Sequence, residues 1–176
     1  MDRIKIFLTN LGRYNECVLM WEWVKLPVAT DELEAVLKRI GIRKGYEEYF
    51  ITDYESSIAN LQIDEYASVS EVNELATRMD ELNDWDYEKL CAVIEAESPT
   101  SVKAILALLN ELDGFDLIPE IEDESSLGEF YAEACNIFTN LPEIMSRYFD
   151  FEKYGRDIHL EGNGTFTSYG YVEDNR

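Results

Sequence analysis

The chain has 176 residues, with 15 lysines and arginines against 37 aspartates and glutamates, a formal net charge of −22. Its 46% hydrophobic and 12% aromatic content sets it apart from charged chains that stay unfolded, and at this length folding buries roughly 70% of the unfolded surface. Duplex DNA, RNA and anionic lipid carry the same sign as the protein, which leaves no phosphate attraction for direct binding to nucleic acid or membrane.

The apolar, β-branched stretches 3–11 and 16–26 read as strands joined by a hairpin-like Gly12-Arg13-Tyr14-Asn15. Thr30 or Asp31 is expected to cap a helix reaching about Ile40, and residues 46–54 to form a third strand. Ser68 followed by Glu71 has the spacing of a capping box, and Val69, Val72, Leu75, Ala76, Met79 and Leu82 recur behind it at helical intervals. A second helix is expected from Asp86, burying Leu90, Cys91, Val93 and Ile94. A third is expected to open with Ser98 as cap and Pro99 as first residue, to bury Val102, Ile105, Leu106, Leu109 and Leu112, and to stop at Gly114. A fourth, after 123–126, turns Leu127, Phe130, Tyr131, Ala134, Ile137 and Phe138 inward, and Pro142 begins a last short one. Residues 156–161 and 165–172 read as strands flanking Gly162-Asn163-Gly164, a turn that tolerates positive φ. Terminal β-sheets around an acidic helical middle predict an α+β fold.

The charge is unevenly spread. Residues 1–44 are net +2, whereas 45–146 hold 25 acids against Arg78, Lys89 and Lys103, and no lysine or arginine occurs from 104 to 146. Trp85, Tyr87, Phe115, Phe130, Tyr131 and Phe138 lie among those acids, unlike the composition of a disordered acidic tail.

Few residues suggest reaction chemistry. His159 is the single histidine and falls in the expected terminal hairpin, so neither a triad nor an imidazole metal site is expected. Cys17, Cys91 and Cys135 are odd in number and far apart, and read as core thiols. The carboxylate pairs Glu47/Glu48 and Asp64/Glu65 and the run 122–124 fit a carboxylate hydrolase, but in so acidic a chain such pairs arise by chance. Asp113-Gly114-Phe115-Asp116 lacks a calcium ligand ladder, and Gly162-Asn163-Gly164 lacks the lysine and helix of a phosphate cradle. No metal or other cofactor is expected. The first residues have no signal-peptide layout and no apolar run approaches the roughly 20 residues of a membrane span, so a cytoplasmic protein is expected.

What remains is the acidity. Self-repulsion opposes compactness, so carboxylates held on ordered helices imply a compensating use. On the scale of one duplex charge per about 1.7 Å, the 22 net charges of the middle block match about 37 Å of DNA. Carboxylates at i, i+3 and i+4 of a helix, based about 5–6 Å apart, can imitate a phosphate row. The alternatives are an acidic chaperone that sequesters basic DNA-binding proteins and, more remotely, the hydrolase.

Asn10-Leu11-Gly12-Arg13-Tyr14-Asn15-Glu16, then Trp23 and Leu26-Pro27, resemble the opening of the ArdA antirestriction family. Glu48-Tyr49-Phe50-Ile51-Thr52-Asp53-Tyr54-Glu55, Ile63-Asp64-Glu65-Tyr66 with Leu75-Ala76, Leu127-Gly128, and Gly164-Thr165-Phe166-Thr167-Ser168-Tyr169-Gly170-Tyr171-Val172 follow in family order. Cys17 and Met20 stand where the family pattern expects glycine. The resemblance implies a protein of phage or mobile-element origin that blocks type I restriction-modification enzymes by imitating bent B-form DNA, with no bond made or broken. It also implies an elongated chain of about three small domains that dimerises through its C-terminal part. Here these would be an N-terminal α+β domain (1–60), a helical middle (61–103) and a C-terminal α+β domain with acidic helices and the terminal hairpin (104–176). The expected partner is the methyltransferase-specificity core. The expected phosphate substitutes are Glu71, Glu74, Asp80, Glu81, Asp84, Glu95, Glu97, Glu111, Asp113, Asp116, Glu120, Glu122, Asp123, Glu124, Glu129 and Glu133.

Overall fold

Strand β1 (Ile4–Asn10) alternates over its first five residues, with Ile4, Ile6 and Leu8 fully buried while Lys5 and Phe7 face outward, and is buried on through Thr9 and Asn10. It is the central strand of an antiparallel sheet of order β2-β1-β3, with β2 at Trp21–Leu26 and β3 at Tyr49–Ser56. The pairs Ile6↔Val24 and Ile4↔Leu26 set the inner face, and a bulge between Phe7 and Leu8 interrupts the β1·β3 register. A computed structural model supplies these coordinates, describing residues 3–139 and 143–176.

The expected turn at 12–15 is instead helical, α1 (Leu11–Asn15). Asn10, fully buried, causes it: its side-chain oxygen accepts the Arg13 N–H at 2.9 Å and its amide donates to the Ile40 carbonyl at 3.1 Å. Past α1, Cys17 sits at φ +61°, the conformation a glycine would adopt without strain. Helix α2 spans Thr30–Arg39, with Ala29 and not Thr30 or Asp31 at its N-cap. The entering chain is held from outside, because both the N–H and the C=O of Val28 bond the Asn73 side chain, at 2.7 and 3.1 Å. The strand expected from residue 46 begins at Tyr49, since Tyr46 closes a turn with Arg43 around Gly45 at φ +88°.

Helix α3 (Val69–Glu81) buries the predicted stripe through Met79, with Ser68 at its N-cap. The capping box does not form: Ser68 makes no side-chain cap bond, and the Glu71 carboxylate turns to Lys103 at 3.4 Å. Helix α4 (Asp84–Glu97) begins two residues early because Asn83 accepts the Asp86 N–H at 2.9 Å, and it buries Leu90 through Ile94. Ser98, expected to open the next helix, terminates α4 at φ +47°. Helix α5 (Val102–Asn110) starts later, with the Ala104 N–H on the Ser101 hydroxyl at 3.3 Å, and buries Leu108 where Leu106 was expected. A 3-10 turn at Leu112–Gly114 then leads into β4 (Phe115–Ile118), a strand where only a helix terminus was anticipated.

Helix α6 (Glu124–Ala134) starts inside its expected lead-in, because Asp123 and Ser126 form a reciprocal capping box. Its inner face is Leu127, Gly128 and Ala132, with Tyr131 half-buried; Phe130 and Ala134 are exposed, and the helix ends before Ile137 and Phe138. The face is turned by α7 (Phe151–Glu161), which packs closely at Gly128 and Gly155. Residues 156–161, expected as a strand, belong to α7, which Asp150 caps on the Lys153 N–H at 3.0 Å. Phe151, Tyr154, Gly155 and Ile158 carry its 3.6-residue period. The terminal hairpin is β5 (Gly164–Thr167) with β6 (Gly170–Asp174), so its turn is Ser168-Tyr169 and Gly162-Asn163-Gly164 leads from α7 into β5. Gly170, at φ +125°, lies against the Pro119 backbone where no Cβ fits. The second sheet has order β4-β6-β5 and is antiparallel. The short helix expected from Pro142 is a 3-10 helix at Glu143–Tyr148, and Pro142 itself lies outside the described residues.

The chain divides into two units, Met1–Tyr87 with Pro99–Leu108, and Glu88–Ser98 with Leu109–Arg176. The fold is α+β, as expected. Cys91 is buried, but Cys17 and Cys135 are exposed, so only one thiol belongs to the core. Among the described residues no helix is long and apolar enough to cross a membrane.

Candidate functional site

In the first unit, burial of one α3 face sends its carboxylates outward: Glu74, Asp80 and Glu81 are exposed and Glu71 is half-buried. Asp84, at the start of α4, is exposed too. Two of the five already have cationic partners. Glu71 faces Lys103, and Asp80 lies 3.4 Å from Arg3, which also donates to the Met79 carbonyl at 2.6 Å and covers the Tyr87 ring. The carboxylates of Glu74, Glu81 and Asp84 make no ion pair or hydrogen bond among the described residues.

In the second unit the same division recurs. Glu95 is half-buried and accepts both the N–H and the hydroxyl of Ser168, at 2.8 and 2.6 Å, holding the β5–β6 turn. Glu97 and Glu111 lie 3.4 and 2.8 Å from the Arg176 guanidinium, and Asp116 accepts from the Asn175 amide at 2.9 Å. Asp123 caps α6, and hydrogen bonds from Ser126 hold its carboxyl below the usual range. Glu124 is half-buried in the first turn of α6. Asp113, Glu120, Glu122, Glu129 and Glu133 are exposed, and their carboxylates have no bonding partner among the described residues. Glu129 and Glu133, four apart on α6, share one side of that helix.

The N-terminal charges are arranged differently, as cation–carboxylate pairs. Arg39 forks onto Glu22 at 2.7 and 2.9 Å and reaches Glu32 at 2.8 Å, Lys5 meets Glu55 at 2.8 Å, and Arg13 meets Glu16 at 2.8 Å. The Glu16 carboxyl is held low by the Tyr46 hydroxyl and by Arg13, and that of Glu22 by Arg39. Excess negative charge therefore resides on α3, α4, α6 and the segments around β4.

His159 is not a strand residue: it lies in α7, half-buried, with Nδ1 3.3 Å from the Tyr171 hydroxyl and its ring 4.9 Å from Phe166. Beside it the Tyr131 hydroxyl donates to Glu173, and burial pushes that phenol's pKa up, with Glu173 adding to the effect. Among the described residues no three His, Cys, Asp or Glu side chains converge as metal ligands. Glu88 and Glu122 flank a recess of about 470 Å³ beside Ser168. Glu88 is an exposed acid outside the predicted set, although its i+4 spacing from Asp84 could have found it. Arg176 was likewise missed; its partners Glu111 and Glu97 lie 65 and 79 residues away, and no local spacing encodes such contacts.

A family model described as antirestriction protein (ArdA) matches residues 6–173, nearly the whole chain. A search of curated proteins finds no significant match.

Proposed function

The chain belongs to the ArdA antirestriction family, and we propose that it occupies the DNA-binding groove of type I restriction-modification enzymes by presenting carboxylates in place of B-form phosphates. The observation that supports the reading is a set of acids fixed in place yet unneutralised. Glu74, Glu81, Glu129 and Glu133 stand on helices whose opposite faces are packed, and their carboxylates face no cationic partner among the described residues.

On this reading, lysines and arginines of the methyltransferase-specificity core close on these carboxylates as they would on phosphates. Each exposed pair is worth up to about 1 kcal/mol, so affinity arises from many, and complementary fields speed the encounter. The target duplex is then excluded, and no residue of this chain acts as nucleophile or acid. Three small domains in series, at 1–60, 61–103 and 104–176, joined as a dimer through the C-terminal part, would extend the carboxylate row. The test is cleavage of target DNA by a type I enzyme with increasing amounts of the protein. Cleavage falls as protein is added and recovers when excess duplex competes; protection that excess duplex leaves unchanged contradicts competition for the groove.

A further inference from the structure

Arg176 stands at the centre of three carboxylates. Its Nε and Nη2 take the two oxygens of Asp174, each at 2.9 Å, Nη1 takes Glu111 at 2.8 Å, and Nη2 also reaches Glu97 at 3.4 Å. The guanidinium is fixed from below, with its carbon 4.3 Å from the Phe115 ring centroid. Its aliphatic stem lies over Gly114, where an added Cβ would come within 2.6 Å of Cγ. The adjoining Asn175 is tied down through its N–H to the Gly114 carbonyl at 2.9 Å. Hydrogen bonds from Arg176 hold the Asp174 carboxyl down to about 2. Glu97 ends α4 and Glu111 follows α5, so nothing in either helix fixes one carboxylate relative to the other. Left alone, the three would repel and separate.

We propose that Arg176 is a positioning residue of the acidic surface: it gathers Glu97, Glu111 and Asp174 into one fixed group, whose four side chains sum to −2, that an enzyme's cationic groove reads as it would phosphates. The inference rests on the function proposed above, and it reverses the simple electrostatic expectation. Removing Arg176 makes the chain more negative, which on bulk charge alone would strengthen binding to a cationic groove; on the positioning account it weakens it.

The experiment compares the full-length wild type with Arg176→Gln, Arg176→Lys and Lys44→Gln. The last is an exposed charge-matched control. Affinity for the methyltransferase-specificity core of a type I enzyme is measured alongside the carboxyl carbon resonances of Glu97 and Glu111. Arg176→Gln is expected to move both resonances and to weaken affinity about fivefold, the scale of one lost exposed ion-pair contact. Lys44→Gln should leave affinity unchanged or slightly higher, and Arg176→Lys should recover part of the loss, since an ammonium keeps the charge but not the fork. Resonances that stay in place, or Arg176→Gln binding as tightly as Lys44→Gln, would overturn the proposal. Wild type that does not bind the core at all would instead overturn the groove-blocking reading, and the functional half of this inference with it.

Discussion

Gly128 of α6 and Gly155 of α7 meet where the two helices leave no room for a side chain: a Cβ on Gly155 would overlap the Glu124 carbonyl, and one on Gly128 the Phe151 carbonyl. The contact fixes which face of α6 is buried, and so directs Glu129 and Glu133 to solvent. Gly155→Ala is expected to destabilise the chain by about 1–3 kcal/mol through overpacking, despite the roughly 1 kcal/mol that alanine gains over glycine in a helix. Urea denaturation checks this; a variant as stable as wild type would mean the helices can separate without loss.

Asn10 supports the other sheet. Replacing it with alanine removes the α1 cap and leaves the buried Ile40 carbonyl without its side-chain donor, a cost of about 2–3 kcal/mol. Thermal unfolding should show a clear loss, and Asn10→Asp should not restore stability, because a carboxylate cannot donate to Ile40.

The Asp174 carboxyl, with a pKa lowered to about 2 by Arg176, gives a pH signature. A depressed folded pKa stabilises above the unfolded value and loses that contribution as pH falls through the folded one. Asp174→Asn should therefore be less stable than wild type at pH 5 and above, by at most about 1 kcal/mol once solvent screening is included. The difference should vanish as pH approaches about 2. A deficit independent of pH would assign the effect to packing.

The helical stripe of α3, the central apolar strand β1 and the acidic character of the middle were legible because each is a local periodicity. Helix starts were less so. Ser98-Pro99 has the form of an opening, yet the left-handed backbone at Ser98 makes it an ending. Residues 156–161 alternate apolar and polar over a few positions, and only Phe151, Tyr154 and Gly155 upstream show the helical period. The site divided similarly. Exposure of Glu74, Glu81, Glu129 and Glu133 follows from the faces opposite them, whereas the internal use of Glu95 and Glu97 depends on Ser168 and Arg176, more than 70 residues distant.

Charge spread over many acids predicts gradual decline. Single changes of Glu74, Glu81, Glu122, Glu129 or Glu133 to glutamine should each weaken enzyme inhibition by no more than about fivefold, and combinations should accumulate roughly additively. Inhibition assays on the series check this; collapse on changing one acid would point to a catalytic or single-anchor role.

The most direct test follows a labelled target duplex bound to the methyltransferase-specificity core of a type I enzyme as the protein is titrated in at several salt concentrations. The account predicts stoichiometric release of the duplex, needing more protein as salt rises because the contacts are ionic. A duplex that stays bound at saturating protein, or equal affinity for unrelated cationic proteins, would contradict it.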